Sequence, residues 1–136
     1  MEPPAQGAVQ SPFDELLGTR FEEASGARVV ATLELGPEHQ QPFGIVHGGV
    51  YASVVESVAS VGATLALDDG GVAVGVSNAT EFLRAVSTGT LRFEALPLRV
   101  GRRLQLWTVD VTDERGRRVA HGRVRLYNRR PGGDTG

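Results

Sequence analysis

Hydrophobic and polar positions change period twice along this chain. Ala27, Val29, Ala31, Leu33 and Leu35 alternate with Arg28, Val30, Thr32 and Glu34, a period of two that predicts a strand. Just upstream, "SPFDELLG" predicts a short helix, with Ser11 as cap, Pro12 in the first turn and Gly18 as the stop. Residues 36–47 are polar and carry Pro and Gly, as a loop does.

From Gly48 the period becomes helical. Val50, Val54, Val58, Val61 and Leu65 share one stripe, and Asp68-Asp69-Gly70-Gly71 ends it. The opposite stripe is Ser53, Glu56, Ser57, Ser60 and Thr64, with Ala52, Ala59, Gly62, Ala63 and Ala66 on the flanks. Side chains this small on all sides predict a central helix that other backbone approaches closely.

After the helix the period returns to two. Strand segments follow from Val72–Val76, "GTLRFEALPLRV", "RRLQLWTVDV" and "VAHGRVRLYN", with connections at Gly89, Gly101 and Asp113–Gly116. In the last of these, Ala120, Gly122, Val124 and Leu126 face one way and His121, Arg123, Arg125 and Tyr127 the other. Pro97 interrupts the alternation and marks a bulge or an edge. The order strand, long helix, four strands predicts an α+β domain: an antiparallel sheet curled round one helix. Such a sheet leaves edges and an outer face to be covered, which predicts an oligomer.

Length bounds the chain to one domain, expected over residues 11–128, with Pro- and Gly-rich tails at 1–10 and 129–136. The absence of cysteine excludes disulfides, thiolate metal sites and cysteine nucleophiles. His39, His47 and His121 have no metal-ligand spacing, so no metal is expected. A net charge of −2 gives no pull toward nucleic acid or anionic membrane. Every basic side chain is Arg, a fork suited to phosphate. The first residues, "MEPPAQGAVQSPF", lack the positive charge and apolar run of a signal peptide, and a cytoplasmic protein is expected. Residues 48–67 are the one stretch long and apolar enough to weigh as a membrane span, but Glu56 in their middle argues against insertion.

That carboxylate is the only charge between His47 and Leu67. The helix that bears it opens "HGG". A helix start offers unpaired N–H groups at the positive end of the dipole. Gly48 and Gly49 have no Cβ, so a substrate carbonyl can approach those amides. Donors of this kind stabilise an oxyanion by about 2.7–4 kcal/mol each. Glu56 lies two turns on, Ser60 one turn further on the same face, and Gln41 six residues before His47. Taken singly, a helical Glu reads as a solvated surface residue and "HGG" as a turn; the combination points to a site.

At these residues the chain resembles the hotdog-fold acyl-CoA thioesterases of the phenylacetate-pathway and 4-hydroxybenzoyl-CoA (Arthrobacter-type) kind. The resemblance spans residues 12–128 and is most specific in "GIVHGGVYASVVESVAS", with "NATEFLRAVSTGTLRFEALPLRVGRRLQLWTVDV" resembling the family's strands. It implies a hotdog fold and hydrolysis of an acyl-CoA to a carboxylic acid and CoA, with no cofactor. Glu56 matches the helix carboxylate that acts as nucleophile or general base. Gly48 matches the glycine whose amide polarises the thioester carbonyl, with Gly49 beside it. His47 then shapes the turn near the carbonyl or leaving thiolate, and Gln41 positions the thioester or water. Ser60 stands where the Arthrobacter-type enzymes carry threonine. Other members carry aspartate in place of Glu56, so the glutamate favours the Arthrobacter-type subgroup.

The resemblance also implies a site between two subunits of a homo-oligomer, at least a dimer and in this family a tetramer. Asn78, Arg84, Ser87, Arg102 and Arg103 are the substrate-binding candidates of the strand region, with the arginines set against CoA phosphates or read as an ordinary charged hairpin. Phe43, Tyr51 and Phe82 are candidate walls of an acyl pocket, with the core as the default place for each. Two rival readings remain open: a non-catalytic acyl-CoA-binding protein, and a hotdog dehydratase or hydratase, in which a loop histidine is the base.

Overall fold

The computed structural model describes residues 9–132. Helix α1 (Pro12–Leu17) leads into strands β1 (Thr19–Ala24) and β2 (Val29–Glu34). A single 3-10 turn (Pro37–His39) precedes helix α2 (Gly48–Leu65), and strands β3 (Val72–Phe82), β4 (Thr90–Val100), β5 (Leu104–Thr112) and β6 (Arg118–Arg129) complete the domain. The six strands form one antiparallel sheet in the order β1-β2-β4-β5-β6-β3, which leaves β1 and β3 as edges.

The ends of α1 follow the expected chemistry. Ser11 and Asp14 form a reciprocal capping box, and Gly18 closes the helix in the left-handed conformation at φ 88°. Strand β1 was not expected. Its sequence, "TRFEEA", holds few apolar residues, and a bulge between Phe21 and Glu23 breaks the alternation that would have revealed it. Strand β4 does bulge between Pro97 and Arg99, as the proline predicts. Strand β6 includes Arg129, paired with Val72, so regular structure passes the expected boundary at 128. The tail residues 1–8 and 133–136 lie outside the described part of the chain.

The core forms where α2 meets the concave face of the sheet. Val54, Val55, Val58 and Ala59 are wholly buried, as are Leu33, Phe93, Trp107, Val109 and Leu126 opposite them. Contact is close: a Cβ added to Gly62 would sit 2.6 Å from the Trp107 ring, and one added to Gly122 2.5 Å from Val55. The helix is nonetheless covered on one side only. Leu65, expected on the buried stripe, is 46 % exposed, and Glu56 is exposed as well. Small side chains on the second face reflect room left open there, not backbone already packed against it.

One buried polar network ties α2 to the sheet. Gln105 donates to the Ala63 carbonyl and to Asn128 Oδ1, both at 2.9 Å, and accepts from Trp107 Nε1 at 2.8 Å. Asn128 in turn donates to the Gly101 and Arg102 carbonyls at 3.0 Å, holding the β4–β5 turn. A fully satisfied network of this kind rigidifies the core at little net expense.

Candidate active site

The start of α2 is built by its own loop. His39 is buried; its Nδ1 accepts from the Gly36 amide at 2.9 Å, which leaves the proton on Nε2 to donate to the Leu17 carbonyl at 2.6 Å. The His39 carbonyl then accepts from the His47 amide at 2.8 Å. This histidine, not singled out by the sequence reading, pins the loop to the end of α1. It has no signal in sequence, because its partners are backbone atoms.

His47 caps α2. Its Nδ1 accepts from the Gly49 amide at 2.7 Å, so the Gly49 donor is consumed locally. Among the described residues nothing accepts from the Gly48 amide. The Phe82 ring lies so close that a Cβ on Gly48 would stand 2.5 Å from it. Gly48 therefore combines an open donor with a crowded Cα.

Gly48 lines a cleft of about 310 Å³ with Gln41, Tyr51, Phe82 and Arg84. Gln41 Oε1 accepts from the Phe43 amide, and its NH₂ group has no partner among the described residues. Arg84 has no ion-pair partner among the described residues. Tyr51 stacks on Phe82 with ring centroids 5.8 Å apart, and its buried hydroxyl has no hydrogen-bond partner among the described residues. Burial pushes the Tyr51 phenol above its ordinary pKa, with a further push from the Asp113 carboxylate.

Glu56 lines a different cleft, of about 410 Å³. Ser53, Ser57 and Ser60 of α2, Asn78 of β3 and Phe13 and Asp14 of α1 share it. Among the described residues Glu56 has no hydrogen-bond or ion-pair partner, and it lies over Gly75 of β3, where an added Cβ would come 3.6 Å from its carboxyl carbon. Asn78 serves the fold directly. Its Nδ2 donates to the Ala52 carbonyl at 2.9 Å, tying β3 to the helix.

The remaining candidates fall elsewhere. Phe43 is 89 % exposed and lines neither cleft. Ser87 lies in a third cleft with Asp113 and Arg117. Arg102 and Arg103 lie beyond the C-terminal end of α2, in a cleft with Asp69 and Arg130. Arg130 donates to Asp69 and holds that carboxyl below the usual range, helped by the Gly71 amide. No cluster of metal-ligating side chains occurs among the described residues, and no helix among them is long and apolar enough to cross a membrane.

A long helix held in a six-stranded antiparallel sheet is the hotdog fold of the thioesterases. The chain belongs to the Thioesterase superfamily, whose family model matches residues 43–120. It is 45 % identical over 128 residues to Rv1847 of Mycobacterium tuberculosis, covering 92 % of this chain and 91 % of that one. The structure of Rv1847 superposes with a TM-score of 0.87 over 88 % of this chain and 98 % of that one. The proofreading thioesterase EntH of Cronobacter turicensis is 34 % identical over 81 % of this chain and 80 % of its own. The 1,4-dihydroxy-2-naphthoyl-CoA hydrolase of Escherichia coli K12 is 32 % identical over 79 % of each. The protein is thus an enzyme, a hydrolase of the thioesterase superfamily, and the dehydratase reading gives way.

Proposed function

We propose that this enzyme hydrolyses an acyl-CoA thioester to a carboxylic acid and CoA, without a cofactor, in a site completed by a second copy of the chain. The observation that carries this reading is the division of the two chemical groups between clefts. Gly48 and Glu56 are eight residues apart on one helix, about 12 Å along its axis. An oxyanion needs its amide donor at about 2.7–3.1 Å, and attack on the same carbonyl needs the reacting atoms within about 3–3.5 Å. Their opening into separate clefts argues against the two groups of one chain acting on one thioester.

Edge strand β3 offers a way to bring them together. Val72, Val74 and Val76 are exposed along it, an apolar edge that a monomer would be expected to guard. Glu56 lies over Gly75 and Gly48 against Phe82 of the same strand. Antiparallel pairing of two β3 edges, with Gly75 of one opposite Phe82 of the other, sets the carboxylate of one copy beside the amide of the other. Exposed Leu96, Leu98, Leu104 and Tyr127 on the sheet give a second apolar surface, which fits a dimer of dimers.

In the assembled site the Gly48 amide polarises the thioester carbonyl, with the Gln41 NH₂ group beside it. Glu56 of the other copy takes a proton from water as that water adds to the carbonyl carbon, or adds there itself and forms a mixed anhydride that water hydrolyses once CoA has left, with Ser60 orienting the attack. The C–S bond breaks, and the thiolate leaves as CoA on taking up a proton. Arg84, free in the Gly48 cleft, is the arginine best placed for CoA phosphate; Arg102 and Arg103 stand at the far end of α2. The name of the Escherichia coli relative supports a CoA thioester as substrate.

The test is CoA release from a panel of aromatic and aliphatic acyl-CoAs by the wild type and Glu56→Ala. The variant should lose about 100-fold or more in turnover, roughly 2.7 kcal/mol, with its melting temperature kept because Glu56 is exposed and unpaired. A wild type that binds acyl-CoA and releases none would leave a binding protein instead.

A further inference from the structure

The mechanism above leaves α1 without a role, yet α1 supplies one wall of the Glu56 cleft. Phe13 lies on that wall and is 51 % exposed, an aromatic ring at the rim of the cleft. Its neighbour Asp14 is only 2 % exposed and belongs to the same cleft. The Asp14 carboxylate does two things at once. Oδ2 accepts from the Ser11 amide at 2.9 Å and completes the cap of α1. Oδ1 accepts from Ser57 Oγ at 2.6 Å, a short charge-assisted bond to the residue next to Glu56. One carboxylate therefore fixes the shape of α1 and its distance from the helix that carries the proposed catalytic group.

We propose that α1 is the selectivity element of this enzyme: Phe13 limits the acyl group that reaches Glu56, and the Asp14–Ser57 bond is the latch that sets the spacing. The proposal rests on acyl-CoA hydrolysis at Glu56. Asp14 is a positioning residue, since it acts through the placement of α1. Phe13 is a specificity determinant because its ring shares the cleft with Glu56, and a wall that meets substrate discriminates acyl groups by the room it leaves. The physical scale is set by apolar pockets generally, where one methylene changes relative rates by about 10–200-fold.

The experiment measures kcat/KM of the full-length protein across a series from acetyl-CoA to lauroyl-CoA, with benzoyl-CoA and naphthoyl-CoA, for the wild type, Phe13→Ala, Phe13→Trp and Ser57→Ala. Wild-type turnover tests the hydrolase reading by itself. The ratio of bulky to small substrates tests the wall. Phe13→Ala should raise that ratio by about 10-fold or more and Phe13→Trp should lower it, both with unchanged melting temperature. Ser57→Ala keeps Phe13 and the Ser11–Asp14 cap but removes the latch, and should flatten the wild-type ranking. A role confined to stability would lower all substrates together. The proposal is overturned if the wild type turns over the series and both Phe13 variants keep its ranking, and it falls with the hydrolase reading if the wild type releases no CoA.

Discussion

The Gly48 amide and the Glu56 carboxylate stand on one helix but open into two clefts, one beside Phe82 and Arg84, the other beside Ser60 and Asn78. The helix places them about two turns apart. The proposed shared site can be dissected one subunit at a time.

Gly48→Pro removes the open amide and suits the first helical position after His47 at ψ 134°, but its Cβ also meets the Phe82 ring, so it is compared only as oligomers that keep the wild-type melting temperature. We expect Gly48→Pro and Glu56→Ala homo-oligomers each to lose about 100-fold or more in turnover. A hybrid of the two chains, isolated through two different affinity tags, should regain activity, because one of its paired sites keeps both groups intact. Hybrids as inactive as their parents would place both groups in a single-chain site.

Tyr51 is a core residue with an unused hydroxyl. A buried polar atom without a partner costs about 1–3 kcal/mol, so Tyr51→Phe should raise the urea midpoint by about 1 kcal/mol equivalent with the slope unchanged. Its pH dependence has a definite sign. Burial, then the Asp113 charge, raises the folded-state pKa, so the unfolded chain ionises first as pH climbs. The stability tied to this phenol is complete below the ordinary tyrosine value of about 10 and is lost as pH rises through the folded-state value. Urea titrations above pH of about 10 should show that loss in the wild type and a smaller one in Tyr51→Phe. Equal alkaline slopes would show the phenol to ionise alike in the folded and unfolded chains, as a water-exposed hydroxyl does.

Gln105 is wholly buried and spends both ends of its amide. Gln105→Leu would strand the Trp107 N–H and the Ala63 carbonyl in an apolar interior. A loss of about 2–3 kcal/mol in urea unfolding is expected, at unchanged slope. A loss below about 0.5 kcal/mol would mean that water replaces the amide.

Much of the fold was legible because it is written in periodicity. The valines at 50, 54 and 58, the alternation of β6 and the Pro97 bulge each follow from which faces must be dry. Strand β1 was hidden because its bulge breaks the period, and the exposure of Leu65 because a stripe of small residues cannot say which neighbour is missing. In the candidate site, Gly48 and Glu56 were legible from type and spacing. Asp14, Ser57 and Phe13 were not: they come from segments more than 40 positions apart, joined by the one bond of Asp14 to Ser57 (|i−j| = 43).

The sequence by itself determined the period of α2 and of most strands, the capping of α1 and the isolation of one carboxylate on α2, because these depend on neighbours within a turn or two. Only the tertiary structure decided that Gly48 and Glu56 face different clefts, that His47 consumes the Gly49 amide and leaves Gly48 free, and that β3 is an exposed apolar edge. Those properties depend on which surfaces remain uncovered once the sheet has closed on the helix, and local sequence holds no record of that.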